Sequence, residues 1–183
     1  AMLISRPNLT PLKANNVDRA LVRPYFGSSE QLVGTRNMSC SFVAEINGSG
    51  AAGTAPAIGP LLRACALAET VTAATRVDYT PITNGQESVT LYWYDSGVLH
   101  VGKGARGSMK LMMGSGGRPE AEFTFEALFT TPSASTPSGV DFSAFVTPLV
   151  VTDANSGDVT FGGTVASTGA PACSSSTTLS LLP

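Results

Sequence analysis

The stretch Glu120-Ala121-Glu122-Phe123-Thr124-Phe125-Glu126-Ala127-Leu128 alternates apolar residues with acids and a threonine up to Leu128. Successive strand side chains point to opposite faces, so Ala121, Phe123, Phe125, Ala127 and then Phe129 share one face, and Glu120, Glu122, Thr124 and Glu126 the other. This period of two predicts a strand with one face on a core and one polar face. The same period runs from Asn37: Met38, Cys40, Phe42, Ala44 and Ile46 oppose Asn37, Ser39, Ser41 and Glu45, interrupted only by Val43.

Working outward, residues 105–113 read as a strand paired with 121–129 through the turn-like 114–119, which holds three glycines and Pro119. Residues 76–82 and 87–94 flank Asn84-Gly85, a dipeptide suited to tight hairpins, and are predicted to pair. Residues 89–94 carry bulky groups on both faces, which predicts cover on both sides. Asp95-Ser96-Gly97 then turns the chain into 98–101. One helix is expected, with Gly59 as N-cap, Pro60 at its first position and Leu61, Ala64, Cys65 and Ala68 on one face.

Residues 1–35, punctuated by Pro7, Pro11, Pro24 and Gly27, read as an extended N-terminal arm with brief strands. Residues 36–131 read as the β core, with the helix near 60–69, and 132–183 as a C-terminal extended segment and tail. Within that last part, short β pieces are expected at 141–151 and 158–165, and a small, polar tail at 166–183. The fold class expected is mostly β, of sandwich or barrel type, with one short flanking α-helix and extended arms at both ends.

At 183 residues the chain suits one domain, since a chain this long buries roughly 70% of its unfolded surface. Eleven Lys and Arg against 13 Asp and Glu leave a net charge of -2, without the basic footprint of a nucleic-acid binder. Charged residues make up only 13% of the chain and hydrophobic ones 43%, a thin polar coat that points to self-association. No apolar run nears the ~20 residues that span a bilayer, and the N-terminus lacks a signal-peptide layout, so neither membrane insertion nor secretion is expected.

Cys40, Cys65 and Cys173 are spaced too widely for a zinc knuckle or a CxxC pair and read as buried thiols. Gly48-Ser49-Gly50-Ala51-Ala52-Gly53 matches GxGxxG, but Thr54, Ala55 and Pro56 intervene before any helix, so a flexible loop is the better reading than a dinucleotide cradle. His100 is the sole histidine and has no GxSxG elbow to serve; a dyad with Cys65 is outweighed by a structural thiol. No catalytic, cofactor-binding or metal-binding residue is therefore expected, and the chain reads as a non-enzyme. Glu120, Glu122 and Glu126 fit either a solvated sheet face or a negatively charged channel wall that repels phosphates.

Several short pieces, in order, resemble one family. They are 21–25 (Leu-Val-Arg-Pro-Tyr), 27–32 (Gly-Ser-Ser-Glu-Gln-Leu), 48–56, 59–70 (from Gly59-Pro60-Leu61-Leu62 to Glu69-Thr70), 87–90, 97–100 and 104–107. Together, over roughly residues 9 to 151, they resemble the tail tube proteins (major tail proteins) of bacteriophages with long, non-contractile tails. The resemblance implies a structural virion protein with a β-sandwich-like fold. Its subunits would form hexameric rings that stack helically into a hollow conduit for genome ejection. It implies assembly in the host cytoplasm, residence in the virion tail, and contacts with tape measure and tail-end proteins. DNA would pass through without specific binding. On this reading Arg23, Pro24, Tyr25 and Phe26 are candidates for an inter-subunit arm, the alternative being a turn packed on its own domain, and Glu120, Glu122 and Glu126 for the lumen lining. The family comparison also expects more chain before residue 1 and a longer strand-rich segment after Gly163. Rival readings are the tube subunit of a contractile tail or secretion machine, a capsid decoration protein, and an enzyme with a nucleotide-binding Gly-rich loop.

Overall fold

Glu120–Leu128 forms strand β7, central in its sheet because the strands on both sides share its period. The computed structural model describes residues 1–22, 24–27, 29–152 and 154, and the backbone of 159–161 and 177–179. In it β7 pairs antiparallel with β2 (Leu32–Glu45) on one side and β6 (Val98–Met112) on the other. β1 (Ser5–Val17) lies outside β2 and β5 (Val89–Asp95) outside β6, giving the order β1-β2-β7-β6-β5, while β8 (Ser133–Ala134) pairs with the Val98 end of β6. The chain is mostly β, a curled antiparallel sheet with, among the described residues, one short α-helix. Curling follows from β6, whose first half pairs with β5 and whose second half pairs with β7, with a register shift between Lys103 and Arg106.

The apolar face carries the core. Cys40, Phe42 and Ala44 of β2 and Ala121, Phe123, Phe125 and Ala127 of β7 pack with Ala105 of β6 and with Ile58, Leu61, Leu62 and Ala64 at the helix. Phe42 lies 5.8 Å from Phe123, 6.0 Å from Phe125 and 6.4 Å from Trp93, an aromatic cluster that ties β5 to the two central strands.

Helix α1 (Gly59–Ala64) starts one residue earlier than expected, with Ile58 as its N-cap, and stops at Cys65. Ala66 takes a φ of 63° and the chain enters β3 (Leu67–Thr72), so Ala68 sits in a strand and not on the helix face. The β-branched run Thr70-Val71-Thr72 favours the pleated conformation, and pairing with β4 (Arg76–Pro81) draws it into a hairpin. That hairpin also corrects the pairing expected across Asn84-Gly85. β4 takes the nearer partner β3, and β5 pairs with β6 through Ser96-Gly97, two residues with φ of 46° and 84° as a type I′ turn requires.

β5 is not covered on both sides as expected: Tyr92 is 64% exposed and Tyr94 41%, because β5 ends the sheet and no described residue covers that face. The N-terminal segment, expected as an arm with brief strands, contains the 13-residue β1. Its register with β2 shifts around Pro7 and Pro11, which cannot donate to the ladder. Residues 32–36 of β2 pair only with β1, so these two strands run on beyond the four-stranded region as a ribbon.

Residues 141–151 form no strand, contrary to expectation. Their backbone is held by other partners: the Asn47 side-chain amide donates to the Val146 carbonyl, and Val151 exchanges hydrogen bonds of 2.9 and 2.8 Å with Gly116 and Gly117. Further on, β9 (Val159–Phe161) and β10 (Thr177–Leu179) pair antiparallel, so the segment read as a tail includes a short strand. The remainder of the expected 158–165 piece and of the 166–183 tail lies outside the described residues.

Burial pushes the Cys40 and Cys65 thiols up from 9.0 to about 11. Tyr79 is pushed up as well, first by burial and then by its hydrogen bond to Glu69. Groups with raised values hold their protons more tightly in the folded chain. The stability they contribute is complete below the unfolded values and is lost as the pH rises through the folded ones. The thermal midpoint is therefore expected to fall between about pH 9 and pH 11, more steeply than that of a Cys40→Val variant. Parallel profiles for the two proteins would remove Cys40 from this account.

Candidate functional site

Strand register assembles a polar face on the sheet side opposite the core. Asn8, Ser41, Thr124 and Ser108 stand in one row across β1, β2, β7 and β6. Charges flank this row. Glu120 accepts from Arg6 Nη2 at 2.8 Å and, on its other oxygen, from Arg118 Nε at 2.7 Å, while Arg118 Nη1 reaches Glu45 at 2.8 Å. Lys13 Nζ lies 3.1 Å from Glu126, and the β6 register places Arg106 opposite Glu126 and Lys110 opposite Glu122. The Arg118 guanidinium is held above its ordinary value, chiefly by its hydrogen bond to Glu120.

The acids thus share one face, as their alternation implies, and that face is charge-paired. The cations arrive from β1, β6 and the β6–β7 turn, which a reading along β7 alone does not reveal. The pairs also differ in weight. Glu120 is 12% exposed with both oxygens engaged, whereas Glu126 is 53% exposed and bound to one exposed lysine head. Glu120→Gln is expected to cost about 1–2 kcal/mol in a urea titration and Glu126→Gln no more than about 0.5 kcal/mol. Equal costs would contradict this ranking.

The second surface is the connection between β1 and β2, at the far end of the ribbon. Of the residues expected there as an arm, Pro24, Tyr25 and Phe26 are exposed and Arg23 lies outside the described residues. Phe26 and Val22 are as open as in an extended peptide, at 107% and 104%, and Leu21 is half exposed. The polar groups at the base of the connection satisfy one another: Arg19 bonds Glu30 at 2.6 Å and Gln31 donates to Asp18.

A third feature was not legible in the sequence. Between α1, the β3–β4 hairpin and the end of the sheet opens an apolar groove of about 300 Å³, lined among others by Ile46, Ile58, Leu62, Tyr79, Met109 and Leu111. The hydroxyl of Tyr79 donates to Glu69 at 2.6 Å. These residues come from four separate segments, so no local pattern announces the groove.

The other sequence candidates fall apart from one another or serve the fold. The 48–53 loop does not open into a helix: turn and irregular residues separate it from the six-residue α1. Gly53, at φ 68°, packs so close to Thr72 and Ala73 that a Cβ would lie 2.6 Å from a carbonyl oxygen, which is why glycine stands there. His100 is registered opposite Trp93 on β6, and Cys65 ends α1. Among the described residues no group of three or more His, Cys, Asp or Glu side chains is arranged to hold a metal ion, and no helix is long and apolar enough to cross a membrane. No protein-family model, curated protein or solved structure matches this chain.

Proposed function

We propose that this chain is a structural, non-enzymatic subunit of a long-tailed, non-contractile phage tail tube. It would assemble into hexameric rings that stack as a hollow conduit for the genome, with a β-sandwich or barrel closing between subunits. The observation that carries the reading is the pairing of two open sheet edges with a solvent-facing polar surface. β1 and β5 end the sheet, and β5 has no proline and exposes Tyr92 and Tyr94. An unpaired strand edge is a template for another strand, and joining edges around a ring removes them from solvent.

In such a ring the polar faces turn toward the bore, with Glu120, Glu122 and Glu126 among the lining residues. Rows of hydroxyl and amide groups flanked by neutralised acids offer a polyanion little to bind, which suits DNA in transit. The ribbon tip, with Tyr25 and Phe26, reaches other subunits as an inter-ring arm. The six-fold count and the tape measure and tail-end partners rest on the family resemblance.

Negative-stain electron microscopy of the purified protein, before and after concentration, tests the reading. Hollow filaments with a bore wide enough for duplex DNA are expected. A monomer at every concentration, or closed three-fold or solid assemblies, would count against it.

A further inference from the structure

We infer that the Val22 and Phe26 tip of one copy docks in the apolar groove between α1, the β3–β4 hairpin and β6 of the next copy. This specifies the axial contact and rests on the tube reading. Four observations lead to it.

First, tip and groove sit at opposite ends of the same strand. β2 begins at the ribbon end with Leu32 and finishes at Glu45 beside Ile46, a groove residue. At about 3.3 Å per residue the two ends are about 40 Å apart, so a tip cannot fold back into its own groove without dismantling β2. A contact between different patches at opposite ends repeats head to tail and yields an open polymer, not a closed dimer.

Second, the chemistry matches. Phe26 and Val22 are fully exposed aromatic and aliphatic groups, and the groove is walled by aliphatic side chains. Its lining offers the Tyr79 hydroxyl, already committed to Glu69, and little else to orient a polar small molecule. Third, the described charges beside tip and groove are paired, Arg23 lying outside the described residues. Arg19 and Glu30 neutralise each other at the base of the tip, and beside the groove Arg63 lies 3.3 Å from Glu87.

Fourth, the sizes agree. A volume of about 300 Å³ is at the small end of ligand pockets and suits one or two side chains. An aromatic side chain buries roughly 150–250 Å², so Phe26 with Val22, Leu21 and part of Tyr25 supplies on the order of 500 Å² of apolar surface. That is more than half of the roughly 800 Å² per partner in a standard interface, and each subunit makes the contact twice, once with its tip and once with its groove.

The test is a site-directed cross-link in the full chain, with Cys173→Ser as background and the buried Cys40 and half-buried Cys65 retained, the single-cysteine-variant chains alone serving as blanks. A Pro24→Cys chain, which keeps Val22 and Phe26, is mixed with a Leu111→Cys chain and treated with a short bismaleimide near neutral pH. Leu111 is half exposed at the groove, so the change leaves the core intact. A parallel mixture pairs Pro24→Cys with Tyr92→Cys, on the sheet edge. Filaments are imaged in the same samples.

The expected result is a covalent dimer in the first mixture several-fold above the second, within filaments. Filaments without that excess would overturn the docking and leave the tube reading standing. Cross-linked pairs without tubes would uphold the docking and sink the tube. Monomers with no cross-link would overturn both. Phe26→Asp, checked for an unchanged circular dichroism spectrum, should raise the concentration for half assembly by roughly 30-fold. Assembly at the original concentration would overturn the docking.

Discussion

Replacing Phe123 by alanine is expected to lower the unfolding free energy by about 3–5 kcal/mol, the range for emptying a well-packed aromatic site. Phe123 is completely buried, packs parallel to Phe125 at 5.9 Å and lies 5.8 Å from Phe42. The three rings come from the two central strands, whose backbones are tied into ladders and cannot collapse into the void. Domains are stable by only about 5–15 kcal/mol, so this single change should bring the chain close to its threshold. Urea unfolding followed by circular dichroism measures it. The matching change at Tyr92, which is 64% exposed on β5, should stay within about 0.5 kcal/mol under conditions where the chain is monomeric. A Phe123→Ala loss below about 1 kcal/mol would mean that the aromatic cluster is not the centre of the core.

The contrast between Phe123 and Tyr92 also marks what the sequence could disclose. Alternation in β7 and the second half of β2 has one physical cause, a core on one side and water on the other, and the assignment of Phe123, Phe125, Phe42 and Cys40 to the buried face follows from it directly. The Gly114–Pro119 turn and the β6–β7 pair were legible for the same local reason. Pairing beyond nearest neighbours was not. Residues 67–72 satisfy part of a helical pattern through Ala68, and only the availability of β4 as a partner makes them a strand. Once β3 is a strand, Asn84-Gly85 loses its role as a hairpin turn even though Gly85 keeps a φ of 72°.

Surfaces divide in the same way. The three glutamates could be placed on one face from their spacing, yet their electrostatic character depended on Arg6 and Lys13, far away in sequence on β1, and on Lys110 across the β6–β7 pair. The bulky run in β5 was legible as apolar, but whether a neighbour within the chain covers it is a property of the sheet order. Exposed Tyr92 and Tyr94, together with the open tip at Val22 and Phe26, are apolar surfaces that one copy of the chain leaves unburied. This is the structural counterpart of a composition with 13% charged residues.

Gly107→Ala should be nearly as damaging as the loss of Phe123, by the opposite mechanism. Gly107 is registered opposite Phe125, where β6 and β7 lie back to back against the core. A methyl group there would run into the Thr124 carbonyl oxygen, with the Phe125 ring 2.7 Å and the Thr124 carbonyl carbon 2.9 Å away. Two of these neighbours are backbone held in the β2–β7 ladder, so relief requires β6 to move as a unit. A cost of about 3 kcal/mol follows, at the upper end of ordinary overpacking. For a chain of this size that corresponds to a thermal midpoint lower by roughly 6–12 °C. Gly114→Ala, in the β6–β7 turn with nothing within 4 Å of the added carbon, provides the control and should change the midpoint by no more than about 2 °C. Equal midpoints for the two variants would mean that β6 and β7 are spaced more widely at Gly107 than the ladder places them. If Gly107→Ala still folds, its displaced β6 would shift Lys110 against Glu122 and Leu111 against the groove at once. Polar-face and groove measurements should then change together, whereas Phe26→Asp, at the far end of β2, would leave the polar face alone.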